Sequence, residues 1–84
     1  MTLQLKNVRV TVITNRIKAA RLSAELSMRA LEEISGVDAA TICRCEKGKE
    51  PTLTNALKLA RALNVAVEEL WEIRELTGAE AANA

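Results

Sequence analysis

The sequence contains no histidine, and its two cysteines, Cys43 and Cys45, are separated by a single residue. A conventional zinc site needs three or four Cys or His ligands, and a disulfide framework needs several spaced cysteines, so neither can be assembled from this chain. Two cysteines at i and i+2 on a helix also point about 200° apart and cannot chelate one ion together. We therefore expect no metal, no cofactor and a reducing compartment, with Cys45 as a small core residue and Cys43 as a surface thiol.

Aromatic residues are almost absent as well, since Trp71 is the single one, and proline occurs once. The apolar fraction of 49% comes instead from aliphatic side chains, which is typical of packed helices. No apolar run approaches the roughly 20 residues of a membrane span, and no secretory signal pattern is present. We expect a soluble, cytoplasmic protein of one small domain that has no membrane partner and, lacking a phosphate loop and clustered carboxylates, is not an enzyme.

Neither sign of charge dominates, because the formal net charge is +1, but the charge is unevenly distributed. Residues 1–49 carry nine basic and five acidic side chains, a net charge of about +4. Residues 50–84 carry three basic and six acidic side chains, a net charge of about −3. Such a dipole would orient a small protein on a polyanion with its basic half inward.

Residues 3–13 alternate apolar and polar positions and are rich in β-branched residues, a pattern that predicts a strand or hairpin. An isolated strand is marginal in water, so it needs either the helical body or a second copy of itself to pair with. From Thr14 the period becomes helical, with Thr14 or Asn15 as the N-cap of a first helix that runs to about Ala24. We divide the chain into an arm (residues 1–14), a helical domain (15–77) and a flexible tail (78–84).

Four further helices are predicted from capping residues and apolar spacing. The second begins after Ser27, turns Leu31 and Ile34 inward and ends at Gly36. The third begins after Asp38 and runs to about Cys45, with Ile42 and Cys45 on its inner face. The fourth begins after Thr52, and Asn64 suits the left-handed position that ends it; its apolar stripe is Leu53, Leu57, Ala60 and Leu63. The fifth reaches Thr77 and carries Val67, Leu70, Trp71 and Ile73.

Spaced positions in four of these helices match one known family without a gap. They are Ile17, Lys18, Arg21, Leu26, Ser27, Leu31, Gly36, Val37, Thr41, Ile42, Arg44, Glu46, Lys47, Gly48, and the runs 51–53 and 57–63. Residues 16–71 thereby resemble the Cro/C1 (lambda repressor-like, XRE) helix-turn-helix family, and many spaced matches are more specific than one motif. The resemblance implies an all-α, five-helix lambda repressor-like DNA-binding domain, here preceded by the N-terminal strand or hairpin.

The resemblance also implies that the third helix lies in the major groove of DNA, while the N-terminus of the second meets the phosphate backbone. The groove-facing residues are then Asp38, Ala39, Ala40, Thr41, Cys43 and Arg44. Arg44 is the candidate for base readout, because a guanidinium binds guanine bidentately. Arg29, Lys47 and Lys49 would contact phosphates.

Several positions depart from the family or serve its architecture. Met28 belongs to the DNA-facing set but replaces a glutamine that contacts phosphate in the family. Glu32 stands where the family prefers alanine, and Ala66 replaces the usual N-capping serine or threonine of the fifth helix. Arg21 and Glu46 occupy positions that form a partly buried ion pair, so their implied role is structural.

Two functions fit this resemblance. The first is a transcriptional regulator of a phage or bacterium, a repressor or Cro-like protein that binds a pseudo-palindromic site in double-stranded DNA as a homodimer. Its dimer interface would come from the strand at residues 3–13 or from the fifth helix around Trp71. The alternative is a protein-interaction module with the same fold, such as an antitoxin or phage modulator, which the Ala39–Ala40 pair and Met28 favour.

Overall fold

The structure, a computed structural model, describes residues 10–76, with the side chains of Val10 and Leu76 excepted. It comprises β1 (Val10–Asn15), α1 (Ile17–Ser23), α2 (Met28–Ser35), α3 (Ala39–Glu46), α4 (Leu53–Leu63), α5 (Val67–Leu70) and β2 (Trp71–Leu76). The strands pair antiparallel, from Val10 opposite Leu76 to Asn15 opposite Trp71. Within the described range the helices are therefore accompanied by a two-stranded sheet, and the prediction of an all-α domain is wrong in that respect.

The starts of α2, α3 and α4 are capped as predicted. A side-chain oxygen of the N-cap residue accepts a hydrogen bond from a backbone N–H three residues later: Ser27 from Ala30 (3.0 Å), Asp38 from Thr41 (2.7 Å) and Thr52 from Asn55 (3.1 Å). Each bond satisfies a donor that the helix itself leaves free. These three helices thus begin where short-range sequence signals place them.

The segment after α5 is a strand, which contradicts the predicted fifth helix. That helix ends at Leu70, and residues 71–76 are extended, while Thr77 lies outside the described residues. Apolar residues alternate with charged ones from Trp71 to Arg74, a period of two that suits a strand. Pairing with β1 satisfies the backbone groups that a longer helix would have satisfied internally.

β1 extends to Asn15, beyond the predicted end of the strand, and residues 3–9 of that prediction lie outside the described residues. Its partner strand is β2 of the same chain. Because Thr14 and Asn15 belong to β1, the N-cap of α1 is Arg16 instead. Asn15 Oδ1 nevertheless accepts from the Ile17 N–H (3.3 Å), and its Nδ2 donates to the Cys45 carbonyl (3.1 Å). One side chain thereby ties the sheet to α1 and α3.

The core lies between α2, α3 and α4, where Leu31, Val37, Ile42 and Leu59 form a buried cluster. Partly buried side chains pack around that cluster: Leu26, Met28, Ala62, Leu63 and Trp71. Within residues 10–76, no helix combines the length and the apolarity that crossing a bilayer requires.

Two predicted inward faces are wrong. Ile34 is 57% exposed, and Leu53 and Leu57 of the expected α4 stripe are 73% and 51% exposed. The buried face of α4 is formed by Ala56, Leu59 and Ala60. At 100° per residue, Leu53 and Leu57 lie roughly a quarter turn away from that face. Helix α4 therefore has two apolar faces, and the fold covers one of them.

Candidate nucleic-acid interface

The start of α3 is fixed by Asp38, which is exposed and in extended conformation. Hydrogen bonds from the hydroxyl and the backbone N–H of Thr41 lower the pKa of the Asp38 carboxyl, and nearby Arg44 adds a smaller effect in the same direction. The charged cap also complements the positive end of the helix dipole. Asp38 is thus engaged by α3 itself, and one of its oxygens is held by the Thr41 N–H.

The two sides of α3 differ sharply. Ile42 and Cys45 are 0% and 1% exposed and anchor the helix in the core. The opposite side carries the residues that the resemblance assigns to the groove: Ala40 and Arg44 are exposed, and Ala39, Thr41 and Cys43 are partly buried. Arg44 Nη2 donates to Thr41 Oγ1 at 3.3 Å. The guanidinium therefore lies along the helix surface, and to reach a base edge it must give up one long hydrogen bond to a neutral hydroxyl and its attraction to Asp38.

The end of α3 presents two lysines through a defined turn. The N–H of Lys49 donates to the carbonyl of Arg44 (3.0 Å) and the N–H of Gly48 to that of Cys45 (3.0 Å), the pattern of a Schellman motif. Gly48 has a φ of 112°, a left-handed conformation that favours glycine. Lys47 and Lys49 flank it and are both exposed. The turn thus places two cations beside the exposed side of α3.

At the start of α2, Arg29 and Met28 differ in exposure, although the resemblance assigns both to the DNA-facing set. Arg29 is exposed in the first turn, as a phosphate contact requires. Met28 is partly buried and packs against the core cluster. Its side chain therefore contributes to the hydrophobic core, and no polar group of Met28 replaces the glutamine of the family.

Arg21 and Glu46 hold the unit together. Arg21 Nε donates to Glu46 Oε2 (2.7 Å), and Nη2 donates to Oε1 (3.2 Å), while Nη1 donates to the Leu26 carbonyl (2.9 Å). The two side chains are only 8% and 4% exposed. The hydrogen bond with Glu46 raises the pKa of the Arg21 guanidinium, although burial opposes that effect. The pair fixes α1 and the turn before α2 to the end of α3.

A polar cleft of about 200 Å³ lies between α3 and the start of α4. Arg44, Lys49 and Glu50 line it together with Thr52 and Asn55, two residues that the sequence alone did not predict for the interface. The only sequence signal for these two residues is the N-cap position of Thr52, which places them at the amino end of α4. The amino end of α4 and the two cations attract anions to this cleft, whereas the Glu50 carboxylate that also lines it opposes that attraction.

The two cysteines lie in different surroundings. Cys45 is buried, and burial raises the pKa of its thiol, although Lys49 and Arg44 act in the opposite direction. Cys43 is partly exposed on the outer side of α3. Cys45 therefore serves packing, and Cys43 is the accessible thiol of the interface.

Comparisons with known proteins agree with this architecture. A family model described as Helix-turn-helix matches residues 17–70. The restriction-modification controller protein C.AhdI from Aeromonas hydrophila is 34% identical, with a TM-score of 0.61 over 64% of this chain and 83% of that one. A candidate DNA-binding protein from Bacteroides fragilis is 31% identical, with a TM-score of 0.64 over 73% of this chain and all of that one. No curated protein sequence matches significantly. The family match spans more than half of the residues, and the chain belongs to the helix-turn-helix family of Cro/C1 (XRE) type.

Proposed function

We propose that this chain is a DNA-binding transcriptional regulator, a repressor or Cro-like protein, that acts as a dimer with α3 in the major groove. The observation that carries the proposal is the two-sided α3: Ile42 and Cys45 fix it from behind, while Arg44 stands exposed beside Lys47 and Lys49. A guanidinium at this place can bond guanine bidentately, and the lysines can neutralise phosphates. The likeness to a restriction-modification controller protein supports a regulatory role.

Dimerisation is proposed from the size of the surface. One eight-residue recognition helix offers few base contacts, whereas specific affinities in the nanomolar range generally require more. Two copies on one duplex would read two half-sites about one helical turn apart. The site would then be pseudo-palindromic, and selection of bound duplexes from a random pool would reveal its half-site spacing.

The test of base readout is the affinity of Arg44→Ala for a selected duplex and for a random one. We expect a loss of about 1–3 kcal/mol on the selected duplex and little change on the random one, because only the former offers the matching base. Arg74→Ala is the matched control, since Arg74 is an equally charged, exposed residue on β2. Equal losses for both variants would mean that Arg44 contributes charge alone.

The test of phosphate contact is the salt dependence of binding to random duplex. Lys49→Ala should weaken binding uniformly and reduce the slope of log K against log salt by about 1, with Lys58→Ala as the control. If Arg44→Ala combined with Lys47→Ala leaves duplex affinity unchanged in a folded protein, the DNA-binding proposal is wrong.

One observation favours the alternative of a protein-interaction module. Met28 packs into the core where the family has a phosphate-binding glutamine, so α2 offers the DNA one polar contact fewer. Absence of measurable binding to random duplex at low salt would select this alternative.

A further inference from the structure

An apolar groove of about 420 Å³ lies between the sheet, α5 and the start of α4, and it adjoins the cleft beside Arg44, with which it shares Glu50 and Pro51. Ile13 and Ile73, which are cross-strand partners, form one wall with Trp71, and Leu53 forms the other. Ile73 is 68% exposed and Leu53 is 73% exposed. A contiguous apolar surface of this kind is rare on a monomer unless it takes part in binding.

One wall of the groove is built from chain that the family match leaves out, because Ile13, Trp71 and Ile73 lie outside the matched residues, whereas the other lining residues lie within them. The match spans residues 17–70, whereas β1 and β2 occupy residues 10–15 and 71–76. Without the sheet, the start of α4 would face only Val67 and Glu68 of α5 across the groove. The strands therefore add an apolar concavity to the helical domain.

Beside the groove runs a ridge on α4, formed by Leu53, Leu57 and Arg61 at four-residue spacing, which places them on one side of the helix. Leu57 is 51% exposed, and Arg61 is exposed. The polar residues that line the groove are carboxylates, Glu50 and Glu68. Among residues 10–76, neither these carboxylates nor Arg61 takes part in an ion pair. The same face thus carries an apolar ridge with a cation and an apolar groove with anions.

The geometry points to a second copy of this chain as the occupant of the groove. A two-fold axis brings the same patch of both copies together, so the Leu57 ridge of each copy can enter the groove of the other. The reciprocal arrangement also sets the Arg61 side of one ridge against the carboxylate rim of the other groove. A partner of different chemistry would need to reproduce both matches. This inference rests on the proposed dimeric regulator and names its interface.

The interface is tested by sedimentation of the purified full chain and of two variants, Ile73→Lys and Leu57→Glu. Both substitutions are at exposed positions, and circular dichroism with thermal melting checks that each variant folds. We expect the dimer dissociation constant to rise at least about 30-fold, which is the effect of removing a residue at the centre of an interface. Leu22→Lys is the matched control, because Leu22 is 55% exposed on α1 and lines neither the groove nor the pocket beside Arg61. It should change the constant less than about threefold.

The results test the proposed interface and the proposed DNA-binding function separately. A parent protein that is monomeric both free and on a selected duplex, or folded Ile73→Lys and Leu57→Glu variants that dimerise like the parent, would overturn the inference. The monomeric variants should still bind random duplex at low salt. The slope of log K against log salt, counted per protein copy, should equal that of the parent. The variants should lose tight binding to a duplex that contains two half-sites. A parent that dimerises through this face but binds no duplex would instead refute the DNA-binding function and leave the interface intact.

Discussion

Removing either partner of the Arg21–Glu46 pair should destabilise the protein more than any other single charge change in the described residues. Glu46→Ala leaves a guanidinium that is 8% exposed with one remaining partner, the Leu26 carbonyl. An unpaired buried charge of this kind costs about 3–5 kcal/mol. Domains of this size are stable by only about 5–10 kcal/mol, so the variant should lose a third or more of its folding free energy.

The measurement is urea unfolding at pH 7, followed by the fluorescence of Trp71, the single tryptophan, and by circular dichroism. Arg16→Ala is the control, because Arg16 and Glu72 form a pair at 3.6 Å whose side chains are 65% and 51% exposed. Its loss should cost less than about 1 kcal/mol. Replacing Arg21 and Glu46 together with methionine should recover much of the loss, since no charge remains buried. The reasoning is refuted if Glu46→Ala unfolds at the same urea concentration as Arg16→Ala.

Further predictions concern single side chains. The lowered pKa of Asp38 means that its contribution to stability is present above the unfolded pKa near 3.8 and is lost as pH falls through the lower folded value. Asp38→Asn keeps the cap, so its melting temperature should fall less than that of the parent between pH 5 and pH 2.5. Glu25 has a φ of 58°, so Glu25→Gly should raise the free energy of unfolding by about 1 kcal/mol in the same urea assay. Glu33→Gly, inside α2, should lower the free energy of unfolding by a similar amount. Cys43 should react with a thiol reagent in the folded protein, and Cys45 only on unfolding; mass spectrometry that finds equal labelling would contradict this.

The helices that carry the candidate site could be predicted from the sequence because their signals are local. Ser27, Asp38 and Thr52 each cap a helix through a bond to a residue three positions later, so a short window contains cause and effect. The left-handed conformations of Gly36 and Asn64 are likewise properties of a single position. Recognition of the family then placed Arg44 and its neighbours on the outer side of α3.

The strand β2 could not be predicted in this way. Val67, Leu70 and Trp71 have helical spacing, while Trp71 and Ile73 alternate as in a strand, and both patterns overlap. Pairing with β1 decided the outcome, and the paired residues are about sixty positions apart in the chain. The same limit applies to Leu57, since periodicity finds an apolar face but does not tell which neighbour covers it.

At the start of α5, a hydrogen bond that was not predicted from the sequence compensates for a missing cap. Ala66 has no side-chain oxygen with which to cap the helix, as predicted from its identity. Glu69 replaces part of that function, because its carboxylate accepts a hydrogen bond from the Ala66 N–H at 2.9 Å. Ala66 therefore lowers the stability of the helix by less than the absence of a capping serine or threonine would suggest.

Since Val10 and Leu76 are neighbours in the ladder, the polypeptide enters and leaves the described unit at one place. The inner end of the sheet is fastened near the carboxyl end of α3 through Asn15, and six-residue strands span about 17–20 Å. A domain fused directly to Val10 or Leu76 would be joined at this outer edge. Such a junction would be separated from the carboxyl end of α3 by the length of one strand, which makes it a suitable point for immobilising the described unit.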